Sequence, residues 1–203
     1  METTAVTFES LVRRLRALSP SVGPVRLVAV DGPSGAGKST FARRLAQAAD
    51  DAPVVTSDQF PVPWDGDPLV WWPLFAAEVL APLDLGLPGG FRPYDWHRNE
   101  YGARIEIPVS PILIVEGVGA ARPESPAAYR IWVDAPQDVR GNRVIARDGL
   151  DLAEIWRDWD ARTSAHFTTA RTAYRADLHI AGAAEIDYDQ DREFIAEDLP
   201  GAR

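Results

Sequence analysis

Cysteine is absent from the 203 residues, which excludes disulfides, a thiol nucleophile and a thiolate-bound zinc. No apolar run approaches the roughly 18 residues of a membrane span. The first twenty residues scatter charge instead of forming the apolar block of a signal peptide. Positive charge is scarce: 21 basic against 30 acidic residues leave −9, the wrong sign for a general nucleic-acid binder. Internal repeats and low-complexity tracts are missing too. The expectation is a cytoplasmic protein that engages neither nucleic acid nor membrane, with a homo-oligomer left open. Lysine is the rarest cation: of the basic residues, Lys38 alone is not arginine.

What remains is globular in composition, with 46% hydrophobic and 25% charged residues, in a length that suits one domain. Phe8, Leu11, Val12, Leu15 and Leu18 recur at helical spacing and predict an opening amphipathic helix. Short β-branched runs at Val25–Val30, Pro53–Thr56, Ile112–Val115, Arg130–Val133 and Asp177–Ile180 read as strands. Arg104–Ile107 alternates like an exposed one. Helices are expected over Lys38–Ala49, Leu69–Leu80, about 136–147 and 151–174, and residues 83–95, rich in Gly and Pro, as loop. Strands alternating with helices imply a parallel sheet covered on both faces, whose ligands bind at the carboxyl ends of the strands. Residues 185–203 carry seven acids against two arginines and predict a solvated tail.

Gly32-Pro33-Ser34-Gly35-Ala36-Gly37-Lys38-Ser39 fits the pattern G-x-x-x-x-G-K-[ST] between a strand and a helix. The glycines let consecutive backbone N–H groups curl toward an anion, and the helix start adds partial positive charge. Lys38 would place a compact ammonium on the β- and γ-phosphates of a nucleoside triphosphate, and Ser39 a hydroxyl on Mg²⁺. Arginine, a larger planar fork, would not fill that place, which accounts for the lone lysine. Glu116, at the tip of the Ile112–Val115 strand, is a candidate Mg²⁺ carboxylate. Asp58, just past the second strand, could accept a substrate hydroxyl's proton and touch the metal, or could simply cap a turn. Arg140, Arg143 and Arg147 share a helix face and could gather around phosphate or remain solvated. Tyr94, Trp96 and His97 could stack on and hydrogen-bond a heterocyclic base, or pack a hairpin on the core. Asp65 could hold sugar hydroxyls or shape a turn, and Arg92 or Arg98 could grip an acceptor's own phosphate.

These segments together resemble the uridine kinase and phosphoribulokinase-like group of P-loop kinases, especially small uridine-kinase-like proteins of actinobacteria. The resemblance spans about residues 25–182. It is carried by Val28–Ala42, Ser57-Asp58-Gln59-Phe60, Tyr94-Asp95-Trp96, Ile114-Val115-Glu116-Gly117, Val139-Arg140 with Arg143 and Arg147-Asp148, and Arg175-Ala176-Asp177-Leu178. It implies a single P-loop NTPase three-layer α/β sandwich with a parallel core of about five strands. A substrate flap would fall near 60–110 and an Arg-bearing lid near 136–175. It also implies Mg²⁺-ATP-dependent phosphoryl transfer to a small-molecule hydroxyl, in the first place a nucleoside's. ATP would be bound by Gly32, Ser34, Gly35, Ala36, Gly37, Lys38, Ser39, Thr40 and Arg140, and Mg²⁺ by Ser39, Glu116 and Asp58. Asp58 would be the catalytic base, with Lys38, Arg143 and Arg147 on the transferring phosphoryl, and Asp65, Arg92, Tyr94, Trp96 and His97 would face the acceptor. The Asp31–Gly35 opening is also similar to that of cytidylate kinases, which keeps a nucleoside monophosphate acceptor as the alternative. A nucleotide-binding regulatory module without catalysis is the alternative of another class.

Overall fold

The computed structural model describes residues 3–184 and 186–197. The chain opens with β1 (Thr3–Thr7), α1 (Phe8–Ala17), β2 (Arg26–Asp31), α2 (Lys38–Ala48) and β3 (Val54–Thr56). A helical stretch then runs from α3 (Trp72–Phe75) through a π turn at Ala76–Leu80 into α4 (Ala81–Asp84). Pro73 sits in its first turn, where its missing N–H costs nothing. Two small ribbons follow, pairing β4 (Gly89–Phe91) with β7 (Ile105–Ile107) and β5 (Tyr94–Asp95) with β6 (Glu100–Tyr101). The remainder is β8 (Ile112–Glu116), β9 (Tyr129–Asp134), α5 (Gln137–Asp148), α6 (Ala153–Ala170), β10 (Leu178–Ala181) and β11 (Glu193–Glu197).

One seven-stranded sheet has the order β1-β11-β10-β9-β2-β8-β3. The five strands from β10 to β3 are parallel, as the sequence leads one to expect. Side chains alternate between two buried faces. Val28, Val30, Ile112 and Ile114 face the α1–α2 layer with Leu15, Phe41 and Leu45. Leu27, Ala29, Leu113 and Val115 face Phe60, Trp71, Phe75 and Leu83. That double burial is why these strands read as continuous apolar runs, and it makes the architecture an α/β P-loop NTPase-like sandwich.

The sheet's far edge differs from expectation. Part of the acidic stretch 185–203 is not a solvated tail: β11 pairs antiparallel with β10 and with β1. Phe194 and Ile195 are buried, and Phe194 stacks in a triad with Phe8 and Phe41, their ring centroids 5.2–5.4 Å apart. The adjacent Phe194 and Ile195 carry that burial, one on each face of the strand, so local charge did not decide it. Glu185 and residues 198–203 of the expected tail lie outside the described residues.

Register fixes the working end. Val30 pairs with Glu116 and Thr56 with the same Glu116, while Asp31 pairs with Trp132. The chain runs from β2 to β3 past the slot that β8 later fills, then crosses from β8 to β9 on the other side of β2. Loops therefore diverge above β2 and β8 and leave a crevice at their carboxyl ends.

Candidate functional site

The loop between β2 and α2 curls over the crevice. Gly35 has φ +78°, and an added Cβ would lie 2.5 Å from the Arg140 carbonyl oxygen. Gly37, at φ +106°, is the residue from which α2 starts, with no side chain capping the helix amides. An uncapped helix start of eleven residues leaves donors for an anion. Lys38 folds back so that its Nζ donates to the Pro33 carbonyl at 3.0 Å, within the fields of Asp31 and Glu116.

Two carboxylates flank this cradle. Burial pushes the Glu116 carboxyl above its ordinary range and nearby Asp58 adds to the rise, while Lys38 and the hydroxyls of Thr56 and Ser39 oppose it. Asp58 sits on a single 3₁₀ turn, Ser57–Gln59, held by a reciprocal cap. The Asp58 N–H donates to Thr56 Oγ1 at 3.3 Å, and the Thr56 N–H donates to Gln59 Oε1 at 3.0 Å. Ser57 is pressed against Gly117, where a Cβ would lie 2.1 Å from Ser57 Oγ. The cap aims Asp58 outward while its neighbour stays buried. Lys38, Ser39, Asp58 and Glu116 thus converge, and the oxygens of the last three suit a hard divalent cation. Among the described residues no group of three or more carboxylates or histidines could hold a metal alone. Mg²⁺, which keeps waters and phosphate oxygens among its ligands, needs no such cage.

The three arginines expected to share a face of α5 separate. Arg143 bridges the loop to the sheet, donating to the carbonyls of Gly35 at 3.1 Å and Gly182 at 2.9 Å. Arg147 is gripped by both oxygens of Asp148, which pushes its ionisation higher, with Asp58 and Glu116 adding to the effect. Arg140 corrects the expectation of a shared phosphate-facing stripe: it is buried, paired with Asp160 at 2.5 Å and Asp134 at 3.7 Å. Its remaining N–H groups reach the carbonyls of Ala135 and Ser34. Arg140 thus braces the loop from behind, through the Ser34 carbonyl.

The β5–β6 hairpin docks on the Asp58 turn. Trp96 Nε1 donates to the Asp58 carbonyl at 2.8 Å, and Tyr94 packs edge-on against Trp96 and Tyr101. Arg92 donates through Nε to the Gly102 carbonyl at 2.9 Å and through Nη2 to the Tyr101 carbonyl at 3.3 Å, which closes the hairpin while the residue stays exposed. His97 is exposed and takes part only through its backbone N–H, which donates to Asp95 at 2.9 Å. Asp65 is exposed in the turn after Trp64 and is not brought to Asp58 by any contact. Ser34, Ala36 and Thr40 occupy the loop and the first turn of α2, as their spacing requires.

Several elements of the site escaped the sequence reading. Asp31, fully buried beneath the loop, accepts three backbone N–H bonds. A cavity of about 340 Å³ opens beside Gly37 and Thr40, lined by Arg143, the backbone of residues 181–184, Tyr188 and Gln190. Its outer wall is the segment read as a solvated tail. The usable signal was positional: a loop following the last parallel strand borders the phosphate loop.

No family model matches the sequence, and no curated protein matches it. Solved structures do resemble it. A possible uridine kinase from Bacillus stearothermophilus superposes with a TM-score of 0.61 at 17% identity, over 85% of this chain and 96% of that one. A candidate fructose transport system kinase from Silicibacter sp. TM1040 gives 0.60 at 21% identity, over 86% and 98%. What the two share with this chain is the fold.

Proposed function

We propose that the protein is a Mg²⁺-ATP-dependent phosphotransferase acting on a hydroxyl of a small molecule, in the first place a nucleoside. The observation that carries this reading is the convergence of Lys38, Ser39, Glu116 and Asp58 on one crevice beneath an anion-binding loop. The triphosphate lies in the cradle with Lys38 on its outer phosphates, and its base enters the cavity beside Gly37. Ser39 and Glu116, joined by Asp58, would hold Mg²⁺, which when bound neutralises charge on the phosphates. Asp58 takes the proton of the acceptor hydroxyl as that oxygen bonds to the γ-phosphorus and the bond to the β–γ bridging oxygen breaks, releasing ADP. Arg143 and Arg147 cover the migrating group and keep out water that would hydrolyse ATP.

The two fold relatives described as kinases support phosphoryl transfer in general and say nothing of this chain's acceptor. The half-exposed indole of Trp96, held beside Asp58 with Tyr94 edge-on against it, favours a heterocyclic acceptor. A nucleoside monophosphate is the alternative acceptor, for whose phosphate the exposed Arg92 and Arg98 would supply the cations. A binding module without transfer would have no use for a capped, outward-aimed Asp58. The test is calorimetry and an ATP-consumption screen with uridine, cytidine and cytidine monophosphate. Lys38→Ala should weaken ATP binding roughly 10- to 100-fold, the worth of a charge-assisted bond. Asp58→Asn should keep ATP binding and lose turnover by roughly 10²–10⁴-fold. Unchanged turnover in Asp58→Asn removes the base from the mechanism, and ATP binding without turnover on any acceptor favours the regulatory module.

A further inference from the structure

Two loops of the site meet at one side chain that none of the roles above employs. Asp31, the last residue of β2, is completely buried. Its Oδ1 accepts the N–H of Gly32 at 2.8 Å and of Gly119 at 3.1 Å, and its Oδ2 accepts the N–H of Ala121 at 2.9 Å. Gly32 begins the phosphate loop, whereas Gly119 and Ala121 lie 88 and 90 positions along the chain, in the loop that leaves Glu116. That loop is held at its root as well, because the Gly117 N–H donates to the Val30 carbonyl at 3.1 Å. Gly117 in turn abuts Ser57, the residue before Asp58. A chain of direct contacts therefore runs from the first amide of the phosphate cradle through Asp31 to the segments that bear Glu116 and Asp58.

We infer that Asp31 is a positioning residue that clamps the Glu116 loop to the phosphate loop and so sets the two carboxylates at the distance from the bound triphosphate that Mg²⁺ requires. A buried anion is a costly way to satisfy three amides. It yields what an apolar contact cannot: three directional, charge-assisted bonds that fix two loops relative to each other. Lys38 is the cation whose field reaches both Asp31 and Glu116, so the clamp also lies beside the group that meets the phosphates. Asp31 touches no substrate in this arrangement and acts through the loops it joins.

The inference rests on the reading of the crevice as a Mg²⁺-ATP site, and the experiment separates the two. Asp31→Asn preserves volume but cannot accept from all three amides, because its NH₂ group is a donor. ATP affinity is measured by calorimetry with EDTA and with Mg²⁺, and backbone hydrogen exchange is followed at Gly119 and Ala121. The expected result is metal-free ATP affinity within about twofold of wild type, at least a roughly fivefold loss of the affinity gained on adding Mg²⁺, and faster exchange at both amides. A full Mg²⁺ gain in the variant overturns the inference, and so does an equal loss with and without the metal, which marks a merely structural role. Should the variant fail to fold, the wild-type chain decides: slow exchange at Gly119 and Ala121 that slows further with Mg²⁺-ATP upholds the clamp, and fast exchange overturns it. A wild-type chain that binds no ATP overturns the reading of the site itself, and the inference falls with it.

Discussion

Arg140 shows how one side chain's surroundings set its part. On α5 it shares a face with Arg143 and Arg147, yet α6 brings Asp160 against it and buries both. Two charges leave water at a cost of several kcal/mol, so the pair survives only while both partners are present. Asp160→Ala should therefore lower stability by about 3 kcal/mol, since it strands a buried guanidinium with the more distant Asp134 alone. Chemical denaturation measures the loss. Nucleotide binding at saturating ATP should recover part of it, because a ligand that binds only the folded chain stabilises it by mass action. Arg143→Ala, which removes two exposed bonds to the Gly35 and Gly182 carbonyls, should cost less, about 1 kcal/mol.

At the scale of elements, the β5–β6 hairpin and the Asp58 turn form one working unit joined by a single indole donor. Trp96→Phe keeps the aromatic face toward Tyr94 but removes the bond to the Asp58 carbonyl. A neutral hydrogen bond contributes roughly 0.5–1.5 kcal/mol net, which corresponds to about 2- to 10-fold. The acceptor KM should rise by that factor while the ATP dissociation constant stays constant, and steady-state kinetics at saturating ATP distinguishes the two. The Gly32–Ser39 element was legible from sequence, because its geometry is local: the glycines, lysine and serine that define it are consecutive. Asp58 and Glu116 were legible as strand-end acids, one step less local. The carbonyls of Tyr101 and Gly102 that fold back onto the Arg92 guanidinium were not legible, because no spacing rule reveals such a contact.

On the scale of the whole molecule, several acids enter the folded state against their preference. Burial pushes Asp31 up to about 6, even though Ala121, Gly32 and Gly119 N–H bonds and the Lys38 charge pull the other way. Glu116 and Asp134 rise for the same leading cause. The native chain thus holds a proton on Asp31 between about pH 4 and 6 that the unfolded chain releases. Its contribution to stability is greatest below the unfolded value and is lost as pH rises through about 6. The change from 3.8 to about 6 corresponds to roughly 3 kcal/mol. The wild type minus Asp31→Asn difference in unfolding free energy should fall by up to that amount between pH 4 and 7.5. Titrations common to both chains cancel in the subtraction, so a flat difference refutes the assignment. No helix among the described residues is long and apolar enough to cross a membrane.

By itself the sequence determined what lies within reach of a few residues: the curled glycine-rich loop, the strand–helix alternation that makes a parallel sheet, and the carboxylates that end its strands. These follow from backbone sterics and side-chain periodicity, which act along the chain. Only the tertiary structure decided that Arg140 braces rather than binds, that the acidic C-terminal stretch contributes a strand and a cavity wall, and that Asp31 joins two loops almost ninety residues apart. Those outcomes depend on which surfaces are excluded from water, and that is settled when distant segments meet.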